Sequence, residues 1–322
     1  MRYLFTSFAA FALIASPGVG LAQSEPVAPT EIAVSSELPG AFFATPDSGD
    51  SPYPVIILLG GSEGNDGSAR RLAPLFLAQG YAVFGYPYYS PKYYGAQQAQ
   101  FPELPSAFAS IPVDRMETVR DWLMAREDVE SDAIGIYGVS KGAEFALLAG
   151  SLIEGFAAIA AIVPSDVVWE GWGFGTTEGE TSSFSWRGEA LPFVPYVGMT
   201  TEIAKYADPD QTPRLRTPQD AGRHAFPERV AAARIRVEDI DEPVLVAGGD
   251  QDNTWASGEM AQYLAERRHA EGLPTVSLIY PDAGHALSGD GTPTEWVSEA
   301  DEAAQREIWP TTLAFFAEHL KR

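Results

Sequence analysis

At residues 133–149 the chain reads Ala-Ile-Gly-Ile-Tyr-Gly-Val-Ser-Lys-Gly-Ala-Glu-Phe-Ala-Leu-Leu-Ala. The first six residues form a short apolar run typical of a buried strand, and Gly142 to Ala149 has a helical composition. Between them, Gly138-Val139-Ser140-Lys141-Gly142 matches Gly-x-Ser-x-Gly, whose glycines permit a cramped strand-to-helix turn that exposes the serine hydroxyl. The positive end of the following helix points at that hydroxyl. We therefore predict that Ser140 is a nucleophile.

Outward from this motif, short apolar runs alternate with helical patterns, which predicts an α/β fold with a mostly parallel central sheet and helices on both faces. The predicted strands are Pro54–Leu59, Tyr81–Tyr86, Ala133–Gly138, Phe156–Val163, Pro243–Ala247 and Val276–Tyr280. The predicted helices are Arg70–Gln79, Val113–Arg126, Gly142–Ala149, Ala256–His269 and Asp301–His319. This order favours an α/β-hydrolase fold in one catalytic domain, residues 51–322.

A serine nucleophile in this fold needs a histidine base that follows it in the chain. Of the four histidines, His285 lies in a loop directly after a late predicted strand. His269 and His319 fall within helical patterns, and His224 falls in an irregular region that precedes the candidate acid. We therefore predict that His285 is the general base.

The acid is expected between the nucleophile and the base, at the end of a strand. Asp252 follows the strand Pro243–Ala247 at a suitable distance, whereas Asp250 is better suited to shaping the turn. Asp282 is a third contender, but it lies very close to His285 in sequence. Asp252 is predicted to orient the imidazole and to stabilise its protonated form, without accepting the proton itself.

Two backbone N–H groups are expected to stabilise the oxyanion that forms during acyl transfer. One is that of Lys141, next to the nucleophile. The other is assigned to Ser62, in the turn Gly60-Gly61-Ser62-Glu63-Gly64 after the first predicted strand. The alternative is that this segment is a plain glycine-rich turn. It is not a phosphate-binding loop, because no Gly-Lys-Ser/Thr follows at the required spacing.

The alternation of strands and helices stops between Pro164 and about Ile235, a region rich in aromatic residues. These residues either form a lid and acyl pocket over Ser140 or build a subsidiary core. The position after the fourth predicted strand favours a lid insertion at residues 165–235. The substrate-binding residues are then predicted to be Trp169, Trp172 and Trp186, together with Trp255 after the acid.

Composition excludes several classes of function. The chain of 322 residues has 21 Lys+Arg against 44 Asp+Glu, a formal net charge of -23. This charge disfavours binding to nucleic acid and to anionic membranes. The absence of cysteine excludes disulfides, thiolate metal sites and a cysteine nucleophile. No histidine pair or carboxylate cluster has metal-ligand spacing, so we predict neither a metal nor a cofactor.

The N-terminus has the pattern of a secretory signal peptide. A basic start at Arg2 precedes an apolar run from Leu4 to Ala15, and Gly20 and Ala22 fit cleavage before Gln23. The alternative is a membrane anchor, but the run is shorter than the roughly 20 residues that span a bilayer. We predict a signal peptide at residues 1–22, a leader at 23–50 and a periplasmic or secreted protein.

With these residues assigned, the chain resembles the C-terminal catalytic domain of acyl-CoA thioester hydrolases and bile-acid-CoA:amino-acid N-acyltransferases. More widely it is similar to dienelactone hydrolases. The resemblance begins near Pro54 and rests on six stretches: Leu59–Gly64, Gly138–Glu144, Val163–Trp169, Trp186–Pro192, Asp252–Ser257 and Ala283–His285. It implies a triad at Ser140, Asp252 and His285, and serine in place of the cysteine of the amide-forming branch implies acyl transfer to water.

The expected function is therefore hydrolysis of a small-molecule acyl ester or thioester through an acyl-enzyme. A lactone hydrolase or a peptidase of the same fold remains an alternative. A binding protein on a hydrolase scaffold, without catalysis, is the alternative from another class.

Overall fold

The computed structural model describes residues 31–34, 36–92, 96–173, 175–208 and 210–321. The predicted signal peptide and the first eight residues of the predicted leader lie outside these ranges. The strands are β1 (Glu31–Ala33), β2 (Phe42–Ala44), β3 (Tyr53–Leu59), β4 (Ala82–Gly85), β5 (Ile111–Pro112), β6 (Val129–Val139), β7 (Ala158–Ile162), β8 (Phe184–Trp186), β9 (Glu189–Ala190), β10 (Val244–Gly249) and β11 (Thr275–Tyr280). The α-helices are α1 (Gly67–Leu77), α2 (Arg115–Met124), α3 (Lys141–Leu152), α4 (Met199–Ala204), α5 (Arg216–Ala225), α6 (Pro227–Ala232), α7 (Ser257–Ala270) and α8 (Glu299–Leu320).

The central sheet has eight strands in the order β1-β2-β4-β3-β6-β7-β10-β11. All neighbours from β4 to β11 run parallel, whereas β1 pairs with β2 and β2 pairs with β4 in the antiparallel sense. The predicted mostly parallel sheet is therefore confirmed. Parallel strands need crossover helices, which here cover the sheet on both sides.

The strand β3 illustrates why these apolar runs form central strands. Val55, Ile57 and Leu59 contribute to the core beneath α2, α3 and α7, while Ile56 and Leu58 contribute to the core beneath α1 and α8. Successive side chains of a strand point to opposite faces, so burial on both faces requires a continuous apolar run. This arrangement brings the carboxyl ends of β3, β6, β10 and β11 to one edge of the sheet, where ligands bind in open α/β folds.

The leader prediction, residues 23–50, disagrees with the structure from residue 31 onward. The segment contains β1 and β2, which extend the central sheet beyond β4. Phe43 of β2 pairs with Phe84 of β4, and both side chains are completely buried. A three-residue strand carries too little periodic pattern to be recognised from sequence, and its burial depends on a partner far along the chain.

The insertion at residues 165–235 is more regular than its sequence indicates. It contains the short helices α4, α5 and α6, and its strands β8 and β9 form a small second sheet with β5. The strand β5 precedes α2 and lies outside the insertion, so this sheet joins the insertion to the catalytic domain.

Candidate active site

Ser140 occupies a sharp turn between β6 and α3. Its backbone has φ 57° and ψ -121°, a conformation that non-glycine residues rarely adopt. A side chain at either of the two glycines that flank Ser140 would overlap neighbouring backbone atoms. A Cβ on Gly138 would lie 2.2 Å from the carbonyl oxygen of Gly142, and a Cβ on Gly142 would lie 2.3 Å from those of Leu59 and Gly60. The glycines therefore allow the strained turn that presents the serine hydroxyl.

Gly142→Ala is expected to lower the free energy of unfolding by about 1–3 kcal/mol, because the new methyl group overlaps two backbone oxygens. In an ordinary helix the same exchange would be stabilising. Urea unfolding measures the change. Gly67→Ala, at a helix position with no atom within 4 Å of the added Cβ, is the matched control. Equal stability of the two variants would show that the turn tolerates a side chain.

The structure brings together the three side chains that the sequence singled out. His285 Nε2 lies 2.9 Å from Ser140 Oγ, and His285 Nδ1 lies 2.7 Å from Asp252 Oδ2. The second carboxylate oxygen, Asp252 Oδ1, accepts the N–H groups of Thr254 (2.8 Å) and Trp255 (3.2 Å). Buried and held by these bonds, Asp252 fixes the imidazole in line with the serine hydroxyl. This is the geometry that general-base activation of a serine requires.

The competing acids and histidines lie elsewhere. Asp250 and Asp282 are exposed, and the acid that contacts His285 is Asp252. The other three histidines are in helices away from Ser140: His224 and His269 are exposed, and His319 packs edge-on against Phe315.

The turn after β3 is held beside the serine by side-chain contacts. The N–H of Gly61 donates to Glu63 Oε1 (3.1 Å), and the hydroxyl of Tyr88 donates to the carbonyl oxygen of Gly60 (2.6 Å). Within the described ranges, the N–H groups of Ser62 and Lys141 donate to no other residue. Both residues line the same cavity as Ser140. Neither amide is thus taken up by another described residue, as the two predicted oxyanion donors require.

That cavity has a volume of about 180 Å³ and opens over Ser140. Its wall is mainly apolar and comes largely from the insertion, through Trp172, Tyr196, Met199, Ile203, Tyr206, Leu215 and Gln219. The loop after Asp252 adds Thr254 and Trp255. The insertion therefore covers the serine as well as building a core of its own. Sequence reasoning missed α4, which carries Met199 and Ile203 into the wall, because six residues are too few for a clear helical period.

Two of the four predicted substrate-binding tryptophans do not line the cavity. Trp169 is fully buried and stacks on Tyr196 at a centroid distance of 5.7 Å. Trp186 packs against the main core from β8, with Arg187 over its ring. Trp172 and Trp255 do line the cavity. The prediction that Trp169 and Trp186 bind substrate is therefore corrected: both side chains pack against other residues of the protein and not along the cavity.

Trp255 also packs against His285. Its indole N–H donates to the carbonyl oxygen of Val163 (3.1 Å), at the end of β7. Its ring meets the ring of His285 edge-on at 5.7 Å. The loop that carries Asp252 is thus anchored to the neighbouring strand and packs against His285.

A buried ion pair next to the serine was not recognised from the sequence. Lys141 Nζ donates to Glu144 Oε2 (2.6 Å), and both side chains are at most 2% exposed. Burial lowers the pKa of the Lys141 ammonium and raises the pKa of the Glu144 carboxyl, and each shift is opposed by the charge of the partner. The i,i+3 spacing of Lys and Glu is visible in the sequence, but it is far more common on exposed helix faces.

Two further observations concern metal sites and membrane-spanning helices. Among the described residues, no three acidic or histidine side chains converge as a metal site. In the same part of the chain, no helix combines the length and the apolar character that crossing a bilayer requires.

Comparison with known proteins identifies what this chain is similar to. The sequence model of the family described as "BAAT / Acyl-CoA thioester hydrolase C terminal" matches residues 111–322. The human mitochondrial acyl-coenzyme A thioesterase 2 is 25% identical over 297 residues, which cover 87% of this chain and 55% of that protein. The human acyl-coenzyme A thioesterase 1 is also 25% identical, with 87% and 63% covered. The chain therefore spans a little over half the length of these relatives.

Solved structures confirm the α/β-hydrolase fold. A Klebsiella pneumoniae protein assigned as a dienelactone hydrolase superposes with a TM-score of 0.54 at 17% identity, covering 86% of this chain and 92% of that one. An α/β-hydrolase from a deep-sea metagenome superposes with a TM-score of 0.54 at 14% identity, covering 92% and 98%. At such low identity these similarities concern the fold alone.

Proposed function

The chain belongs to the family described as BAAT / acyl-CoA thioester hydrolase C terminal, and from this premise we propose that it is a serine hydrolase of small-molecule acyl esters or thioesters. The observation that carries the proposal is the continuous contact from Ser140 Oγ through His285 to Asp252, at 2.9 Å and 2.7 Å. A serine hydroxyl is a weak nucleophile until a base accepts its proton, and this arrangement supplies the base.

In the acylation step, Ser140 Oγ attacks the carbonyl carbon of the substrate while His285 Nε2 takes the hydroxyl proton. The carbonyl oxygen becomes an oxyanion, and the N–H groups of Ser62 and Lys141 donate to it. When the bond to the alcohol or thiol breaks, His285 returns the proton to the leaving group. The product that remains is an ester of Ser140.

In the deacylation step, water occupies the position that the leaving group has vacated. His285 takes a proton from this water as its oxygen attacks the acyl carbonyl carbon. Collapse of the second tetrahedral intermediate releases a carboxylic acid and returns the proton to Ser140. Throughout both steps Asp252 remains ionised and stabilises the imidazolium.

The apolar wall of the cavity supports an acyl group as the part of the substrate that is bound next to Ser140. An apolar wall favours no particular leaving group, and it is equally compatible with an ester, a lactone and an amide. The net charge of -23 acts against a polyanionic leaving group such as CoA. A comparison of leaving groups is therefore the decisive test of the reaction class.

We expect the purified protein to hydrolyse an aryl ester or a thioester at least about tenfold faster than a lactone or an aminoacyl amide, because both favoured substrates have good leaving groups. The measurement is a side-by-side determination of kcat/KM at matched acyl length, with acyl-CoA as one thioester. Faster turnover of the amide or the lactone would replace the proposal with a peptidase or a lactone hydrolase. No turnover of any substrate would favour a binding protein.

A further inference from the structure

The Lys141–Glu144 ion pair lies directly behind the proposed nucleophile, in the first turn of α3. Burying an ion pair carries a desolvation cost that a pair on the surface does not have. Apolar side chains of the same volume often stabilise a protein equally well. Stability alone therefore gives no reason for charges at this place. What the pair contacts suggests a different role.

Both charges are bonded to the insertion that covers Ser140. Glu144 Oε1 accepts the N–H of Trp169 (3.2 Å), and Lys141 Nζ donates to Ser183 Oγ (3.1 Å). Ser183 Oγ donates in turn to the carbonyl oxygen of Glu170 (2.9 Å). The pair thus joins the helix that follows the nucleophile to two separate segments of the insertion.

These segments lead directly to the wall of the cavity. Glu170 Oε2 accepts the N–H of Tyr196 (2.8 Å), and Trp169 stacks on the Tyr196 ring. The Lys141 ammonium also lies 5.6 Å from the ring centroid of Trp172, within the range of a cation–π interaction. Tyr196 and Trp172 both line the cavity over Ser140.

We propose that the Lys141–Glu144 pair is a positioning element that holds Trp172 and Tyr196 in register with Ser140 and thereby sets which acyl chains the cavity accepts. This inference rests on the proposed serine hydrolase activity. Hydrogen bonds and a cation–π contact fix direction as well as distance, which packing of apolar side chains at the same place would not do. Loss of the pair is therefore expected to change acyl selectivity, even where the protein remains equally stable.

Single and double variants distinguish the effect of the pair on acyl selectivity from its effect on stability. Lys141→Met and Glu144→Gln each leave one buried charge unpaired, and each is expected to lower Tm by roughly 5–10 °C. The double variant K141M/E144Q removes both charges and keeps an acceptor for the Trp169 N–H. We expect it to regain most of the lost Tm.

The decisive readout is the ratio of kcat/KM for aryl esters of long and short acyl chains. In K141M/E144Q this ratio is expected to differ from that of the wild-type protein by about tenfold or more. Recovery of both Tm and the wild-type acyl profile in the double variant would overturn the inference, because the pair would then serve stability only. The matched control is R236Q/D239N, which removes an exposed pair with the same i,i+3 spacing.

Ser183→Ala provides a second, milder variant that leaves the ion pair intact and breaks only its link to Glu170. It should shift the acyl profile in the same direction, by roughly threefold. An unchanged profile in a folded Ser183→Ala protein would also contradict the inference. Failure of the proposed activity is distinguishable from both results, because the wild-type protein would then hydrolyse none of the esters.

Discussion

Ser140→Ala is expected to lower kcat for a simple aryl ester by roughly 10⁴–10⁶-fold. The substitution removes the hydroxyl oxygen that contacts His285 and that is proposed to form the acyl-enzyme, while His285 and the two amides remain. The residual rate would come from water attacking a substrate that is still bound and polarised. The free energy of unfolding should change little, because alanine differs from serine only by the loss of the hydroxyl group and introduces no new steric contact.

The measurement is steady-state hydrolysis by the purified variant, combined with labelling by a fluorophosphonate probe. The wild-type protein should carry the label on the peptide that contains Ser140, and the variant should carry none. Ser151→Ala is the matched control and should behave as the wild type, because Ser151 lies near the far end of α3 and its hydroxyl donates to the carbonyl oxygen of Leu148. Turnover near the wild-type rate in Ser140→Ala would rule out Ser140 as the nucleophile.

Asp252→Asn is expected to reduce kcat by about 10³–10⁴-fold with little change in KM. An asparagine can still accept the N–H groups of Thr254 and Trp255 through its amide oxygen. Its amide nitrogen then faces His285 Nδ1 and donates to it, so that the proton of the neutral imidazole moves to Nε2. His285 Nε2 would then carry a proton and could not accept the proton of the Ser140 hydroxyl.

Asp250→Asn and Asp282→Asn make a matched pair of controls for this variant. Both replace an exposed carboxylate near the site by an amide, and both change the net charge by the same amount as Asp252→Asn. Rates for these two should stay within about threefold of the wild-type rate. A comparable loss in either control would indicate that overall charge, rather than the orientation of the imidazole, accounts for the effect.

The central strands and the three side chains of the proposed triad could be predicted from the sequence because each has a local signal. The run Val55–Leu59 is apolar at every position, as a strand buried on two faces must be. Ser140 lies between two glycines at a predicted strand end, and His285 and Asp252 follow the last two predicted strands. In an α/β sheet, strand ends that are distant in sequence meet at one edge, so local patterns are sufficient to bring these residues together.

The parts that sequence reasoning missed depend on contacts without a local signal. Trp169 and Trp172 are three residues apart in an irregular segment, yet one is fully buried and the other lines the cavity. Their difference arises from where the insertion folds back on α3, which no periodicity encodes. No local pattern shows that Lys141 is buried either, because its side chain would be exposed to solvent if the insertion did not cover it.

The strands β1 and β2 also extend the central sheet beyond β4, so that the outer edge of β4 is paired. The strand β4 has an entirely buried Ala-Val-Phe-Gly sequence, and β2 satisfies the backbone groups on its outer side. Without residues 31–44, those N–H and C=O groups would form a bare apolar edge, a template on which a second chain could add a strand and aggregate. The segment that the sequence predicts to be a leader thus covers a strand edge that would otherwise be open to pairing with another strand.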